Sequence, residues 1–284
     1  MRVVAAHRAL LPVALAVQRS GRVTGVSVIC HGSDVWGAAG RPRWWLEKRA
    51  MRADGVRVVS VSDFTAGVLG VASRSTVLTP GLARPWFETL RRAGTTAPVG
   101  RDGLHLITAF RLADWRDKGL PEMLSAIRLL DRPDVSLTIC GSGQVPPELA
   151  ALIGAAPRCQ VKAGLTDAAL AAELAGADLF VLATRTRSGR CPSGEGFGLV
   201  LLEAQVAGTP VVAPASGGSR DAYLEGITGV APVDESAPAL ASALRDVLLS
   251  DPGRLARMRR GAADWAQRRY DPDLYAEQAV SRLL

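Results

Sequence analysis

The chain has 284 residues, of which 48% are hydrophobic, and a formal net charge of +7. That length and apolar share suit two compact α/β domains, and the scattered Gly and Pro exclude a long disordered tract. The positive balance favours anionic partners, but the Arg residues form no block and no aromatic-interleaved motif, so nucleic acid is not expected among them. Most of the charge reads as the Arg and Ala usage of a GC-rich gene.

At the N-terminus, Met1-Arg2 and the apolar Ala9 to Val17 imitate a signal peptide, with Ala14-Leu15-Ala16 as its cleavage site. His7, Arg8 and Pro12 interrupt that pattern, and an amphipathic helix is expected there instead. No stretch is long enough to span a membrane. Cys30 and Cys140 end apolar runs and read as small buried hydrophobes. With Cys159 and Cys191 they form no C-x-x-C pair, which argues against a zinc ribbon or redox motif and fits a reducing cytoplasm. Peripheral contact with the inner face of the membrane is compatible with that location.

Strand patterns follow at Val23 to Cys30, Val56 to Val61 and Ser75 to Leu78. They resume at His105 to Ala109, Ser136 to Cys140, Leu179 to Leu182 and Pro210 to Ala213. Helical patterns lie between them, as at Leu120 to Leu130, Asp167 to Ala175 and Leu199 to Ala207. This βαβ rhythm predicts parallel sheets, covered by helices on both faces. Such sheets bind ligands at the carboxyl ends of their strands. The turn-rich Ala93 to Gly103 reads as a linker between a domain of residues 1–100 and a domain of residues 101–270. The cluster Arg257-Met258-Arg259-Arg260 reads as a solvated helix face. A last helix, Leu274 to Leu284, follows Asp271-Pro272 and is expected to pack back on the first domain.

The segment Gly194-Glu195-Gly196-Phe197-Gly198-Leu199 leads into a helix that carries Glu203. Glycines at 196 and 198 let backbone approach a ligand, and the helix start offers unpaired N–H groups to a pyrophosphate. Two carboxylates beside an anion site suit a ligand with hydroxyl-bearing sugars on both sides of a diphosphate. Their eight-residue offset corresponds to roughly 12 Å of helix. The alternative is that Glu195 caps the helix and Glu203 lies on the surface, and the residues alone leave both open.

This run resembles the E-x7-E signature of the retaining GT-B glycosyltransferases of family 4. Ala207-Gly208-Thr209-Pro210-Val211-Val212 and Ser216-Gly217-Gly218 resemble the same family. The resemblance implies two Rossmann-like domains, with Glu195 on the hydroxyls of the transferred sugar and Glu203 on the nucleotide ribose. Gly196, Phe197, Gly198 and Leu199 would line the donor site. Phe110-Arg111-Leu112 and Lys118-Gly119 resemble the family's Gly-Arg-Leu…Lys-Gly segment, implying that Arg111 and Lys118 bind the diphosphate. The sequence departs from that pattern at Phe110 and from Ala113 to Asp117. The rival reading is a surface Arg and Lys beside Asp114 and Asp117.

Gly141-Ser142-Gly143 corresponds to a family glycine-rich loop, and Val161-Lys162-Ala163-Gly164 to the segment whose backbone reads the base. Cys30-His31-Gly32-Ser33-Asp34 resembles the His-Gly-x-Asp loop at the cleft, where His31 would serve the sugar, phosphate or acceptor. His7 sits where the family has a His-x-His strand end. His105 starts a core strand and reads as structural. Neither a cofactor nor a metal is expected, since three scattered histidines make no ligand set.

The resemblance also implies roughly 70 residues of βα units ahead of His7 that this sequence does not show. A late start codon, a split enzyme completed by a partner chain, and a decayed relative would each account for that. The expected function is retaining transfer from a nucleoside diphosphate sugar to an unknown acceptor, whether small molecule, glycan or lipid-linked. The family's usual proposal is front-face displacement, with the leaving phosphate helping to deprotonate the acceptor. A non-catalytic subunit and a GT-B sugar-nucleotide epimerase are the alternatives. A glycosidase fits the phosphate-type helix start poorly. An oxidoreductase lacks its G-x-G-x-x-G opening.

Overall fold

The computed structural model describes residues 1–32, 35, 44–70, 75–97, 103–187, 194–249, 251 and 253–284. Ser33, Asp34 and Cys191, and residues 98–102 of the expected linker, lie outside them. The described strands form two sheets, each parallel throughout.

The first sheet runs β1 (Arg2–Ala5), β2 (Gly25–Cys30), β3 (Val56–Ser60), β4 (Ser75–Val77) in that order. Helices α1 (Leu11–Arg19), α2 (Trp44–Met51) and α3 (Asp63–Leu69) accompany it. Alternation in β2 sorts the faces. Val26, Val28 and Cys30 enter a core with Leu11, Ala14, Met51 and Leu69. Leu11 and Ala14 make α1 the amphipathic helix expected of Ala9 to Val17.

The second sheet has strand order β10-β9-β8-β5-β6-β7, comprising β5 (Leu104–Arg111), β6 (Val135–Ser142), β7 (Cys159–Ala163), β8 (Leu179–Val181), β9 (Val211–Val212) and β10 (Gly229–Val230). In β5 and β8, Ile107 and Phe180 point to one face, Leu106, Leu179 and Val181 to the other. Helices α4 (Arg84–Thr96), α7 (Asp167–Gly176) and α8 (Leu199–Val206) cover the first face through Phe87, Leu90, Leu174 and Leu201. Helices α5 (Leu120–Leu130) and α9 (Ala237–Leu249) cover the second through Met123, Leu124, Leu240 and Leu244. The remaining elements are α6 (Pro147–Gly154), α10 (Arg254–Arg269) and α11 (Pro272–Leu283).

Three features differ from the sequence reading. Ala93 to Thr96 are helical, and α4 packs on α7 and α8, so this helix joins the second sheet's core. Gly94 permits that approach, because a Cβ there would lie 2.7 Å from the Ala207 carbonyl. Strands β1, β7 and β10 had no assignment. Arg259 is not on a solvated face: its Nη2 donates to the Ala175 carbonyl at 2.9 Å and its Nη1 to that of Ala177. It thereby satisfies carbonyls at the end of α7 that lack helical partners. Met258, its neighbour, is buried.

Asp271 caps α11, accepting from the amides of Asp273 and Leu274. The helix then lies on the face of the first sheet that carries Ser27 and Arg57. Ser27 Oγ donates to the Leu283 carbonyl at 2.6 Å, and Arg57 Nη1 to that of Arg282 at 2.9 Å. Among the described residues no helix is long and apolar enough to cross a membrane.

Candidate functional site

The carboxyl ends of β5 and β8 and the loop before α8 open on a cleft of about 530 Å³. His31, Arg111, Lys118, Glu195, Gly196, Phe197, Gly198 and Leu199 line it. Lys118 precedes α5, whose N-cap is Gly119. Only Gly fits there: φ is +71° and a Cβ would meet the Ala183 carbonyl oxygen at 2.0 Å. That approach brings Lys118 beside the end of β8.

Lys118 Nζ donates to Glu195 Oε2 at 2.8 Å. Thr184 Oγ1 donates to the same oxygen at 3.3 Å. Glu195 therefore does not cap α8. Gly198 is the N-cap residue, with φ +86°, and no side chain caps the helix. The α8 amides face the cleft end of the loop, where an anion is favoured. Ser216-Gly217-Gly218 braces the loop from behind, with Gly218 N donating to the Glu195 carbonyl at 2.8 Å. A Cβ on Gly218 would lie 1.9 Å from the Gly196 oxygen, so that position requires glycine.

Glu203 is not a surface residue either. Its Oε1 accepts from Trp86 Nε1 at 3.0 Å. Burial pushes its carboxyl above the usual carboxylate range, the Trp86 bond pulls it partly back, and the Asp167 charge adds to the rise. Glu203 lines a second cavity of about 340 Å³ with Gly141, Ser142, Gly164 and Leu165. Leu199 lines both cavities, so the two carboxylates open to either side of the α8 N-terminus.

Arg111 is 80% exposed and pairs with Asp114 at 2.8 Å, as in the rival reading for this residue. Lys118 departs from it, engaging Glu195, while Asp117 pairs with Arg187 at 3.1 Å. Val161 is not brought to either cavity but packs on the core, and the following Gly164 reaches the second cavity. His31 Nε2 lies 2.8 Å from the Ala6 carbonyl. A carbonyl only accepts, so this nitrogen carries the proton. The His7 ring stacks on His31 with centroids 6.5 Å apart. His105 bonds Ser136 at 3.0 Å, inside the sheet.

Thr184 and Trp86 were missed. Thr184 follows a parallel strand at its carboxyl end, which was a usable signal. Trp86 carried none, being 117 positions from Glu203. Among the described residues no group of three His, Cys, Asp or Glu could hold a metal ion.

Residues 106–265 match the family model of the glycosyl transferases group 1. The chain belongs to this family. It is 36% identical, over 52% of its length and 40% of the relative, to a GDP-mannose-dependent alpha-(1-6)-phosphatidylinositol monomannoside mannosyltransferase of Mycolicibacterium smegmatis. The protein of that name from Mycobacterium tuberculosis is 30% identical over 93% of this chain and 71% of its own. A D-inositol 3-phosphate glycosyltransferase of Thermobispora bispora is 31% identical over 69% of this chain and 47% of its own. The chain thus spans less than half the length of the Mycolicibacterium smegmatis and Thermobispora bispora relatives.

Among solved structures, sucrose-phosphate synthase from Thermosynechococcus elongatus superposes with a TM-score of 0.74 at 18% identity, covering 99% of this chain and 72% of that one. Anabaena HepE in complex with UDP gives 0.75 at 19% identity, covering 99% and 77%. By fold the chain is of the GT-B type, with two parallel-sheet domains.

Proposed function

We propose that this chain moves a sugar from a nucleoside diphosphate sugar to an acceptor hydroxyl with retention at the anomeric carbon. The observation that carries the reading is the placement of Glu195 and Glu203 in adjoining cavities on either side of the α8 N-terminus. A diphosphate at that helix start puts the sugar beside Glu195 and the nucleoside beside Glu203. Gly141 and the Gly164 turn then line the nucleoside side.

The residues divide the work by charge. Glu195 accepts from sugar hydroxyls and is held by Lys118 and Thr184. Lys118 has three N–H donors, of which Glu195 takes one, leaving two for phosphate oxygens. Arg111 adds a second cation as charge develops on the leaving diphosphate. The bond from the anomeric carbon to phosphate breaks as the bond to the acceptor oxygen forms on the same face. The acceptor proton passes to the departing phosphate. His31, on the opposite wall, supplies a hydrogen bond to the sugar or acceptor. This chemistry uses no resident metal.

The names of the relatives make GDP-mannose the first donor and an inositol-bearing hydroxyl the first acceptor to test. A cytoplasmic location at the membrane surface agrees with lipid-linked acceptors. Exposed Trp45 and Leu46 on α2, beside Lys48 and Arg49, support such peripheral contact.

Calorimetry with GDP-mannose and UDP-glucose, followed by NMR of the anomeric configuration of the product, tests the proposal. Micromolar to millimolar donor binding and a retained anomer are expected. A folded chain that binds no nucleoside diphosphate sugar overturns it. Binding without turnover replaces it with the non-catalytic subunit.

A further inference from the structure

The Glu195 loop is flanked by glycine on both sides, in Gly194-Glu195-Gly196. Lys118 and Thr184 hold the carboxylate itself, but glycine neighbours leave the peptides on either side free to rotate, so further contacts must fix the backbone that carries it. The contacts that do so come from different halves of the molecule. From the second sheet's side, Gly218 N holds the Glu195 carbonyl at 2.8 Å. From the first, Ser62 Oγ donates to the Gly196 carbonyl at 2.7 Å.

Ser62 is fully buried and stands at the N-cap of α3. Its hydroxyl has one proton and two lone pairs. A lone pair accepts from Thr65 N at 3.1 Å, which caps the helix and aims the proton outward. The proton goes to the Gly196 carbonyl, the nearer acceptor at 2.7 Å; Thr65 Oγ1, 3.0 Å from Ser62 Oγ, reaches the same carbonyl at a longer 3.4 Å. The adjoining residue adds a second tie across the same seam, with Asp63 N donating to Asp221 Oδ2 at 2.7 Å. Gly32 closes on the loop as well, since a Cβ there would lie 2.6 Å from the Gly196 Cα.

We infer that Ser62 is a positioning residue for Glu195. It fixes the peptide after Glu195 from the opposite domain, so the backbone beneath the carboxylate is held from both sides only while the two domains are in contact. The inference rests on the reading that Glu195 meets the transferred sugar. It assigns the first sheet a part in catalysis that its own cleft residues do not reveal.

The test uses Ser62→Ala, Ser62→Gly and Ser62→Thr in the full chain. Glycine removes the donor while keeping most of the cap strength, and threonine keeps both. Hydrogen exchange of the 194–198 amides is expected to quicken in the Ala and Gly variants and to return in Thr. The kcat is expected to fall roughly 10- to 100-fold in the first two, as for a small misplacement of a reacting group. Affinity for the free nucleoside diphosphate stays within about threefold, below the tenfold that 1.4 kcal/mol represents. A Ser62 that served only the helix cap would lower the thermal midpoint in Ala but hardly in Gly, and would leave the 194–198 exchange of Gly as in wild type.

Unchanged exchange overturns the inference, whether or not the chain turns over. Faster exchange with unchanged kcat overturns it too, while leaving the donor site intact. A wild-type chain that binds no nucleoside diphosphate sugar removes the function reading, and the role of Ser62 falls with it.

Discussion

The indole nitrogen of Trp86 lies 3.0 Å from Oε1 of Glu203, joining a helix that precedes the second sheet to a carboxylate inside it. The bond takes one lone pair of a half-buried carboxylate and leaves Oε2 for a hydroxyl. It also favours the charged form against the burial that opposes it.

Trp86→Phe keeps the ring and removes that donor, so the Glu203 pKa rises further. Donor binding that needs ionised Glu203 should then be lost at a higher pH than in wild type as pH falls. The affinity loss at neutral pH is expected to be about 0.5–1.5 kcal/mol, that of one hydrogen bond. Calorimetric titration across pH 5 to 8 reads both effects, and a coincident pH profile for the two proteins would refute the coupling.

Glu203 also marks stability. Its pKa is raised on folding, so the native state holds a proton that the unfolded chain releases. Stability from this group is therefore fully present below the unfolded carboxylate range and declines as pH rises toward the folded value. Glu203→Gln should flatten that part of the pH–stability curve in urea denaturation. It should also weaken donor binding by about 1 kcal/mol or more, because a neutral amide makes no charge-assisted bond.

Lys118→Ala should lower kcat by about 10²-fold or more, through loss of a cation on the leaving group and of the partner that orients Glu195. Thermal stability should move little, since pairs reached by solvent contribute roughly 0–1 kcal/mol. The Lys118 and Glu195 side chains are 23% and 16% exposed. A large drop in midpoint with unchanged kcat would assign the pair a structural role instead.

Arg111 is tied to Asp114 at 2.8 Å. Asp114→Asn releases it and should tighten diphosphate binding, whereas Arg111→Ala should weaken it by about 1–3 kcal/mol with stability unchanged. Both effects should shrink as salt rises. Equal affinities in all three proteins would remove Arg111 from the donor site.

Gly218→Ala puts a methyl where the Gly196 oxygen lies 1.9 Å away. The loop must shift, at a cost of about 1–3 kcal/mol. Glu195 should move with it and activity should disappear. A folded, fully active Ala variant would show that the loop is not held as described.

Periodicity and local chemistry carried much of this protein in the sequence itself. The parallel α/β class followed from apolar runs alternating with helical faces, because burial on both faces demands them. The loop around Glu195 and the helix bearing Glu203 were legible because glycines, carboxylates and a helix start coincide within a few residues. The Lys118-Gly119 step was reached through family resemblance, and the packing supplied its reason, a backbone approach to Ala183 that tolerates no Cβ. Strands β1 and β10 were not legible, being four and two residues long. Strand β7 mixes Gln160 and Lys162 with its apolar residues, as suits an edge.

The tertiary structure alone decided the partners. Ser62 meets Gly196 across 134 positions and Trp86 meets Glu203 across 117. No local pattern encodes such pairs, because they depend on how two sheets and their connecting helices pack. The same packing gave Arg259 carbonyls to cap and kept Val161 in the core. Glu195 and Glu203 were written in one short segment, while the residues that hold them came from elsewhere in the chain.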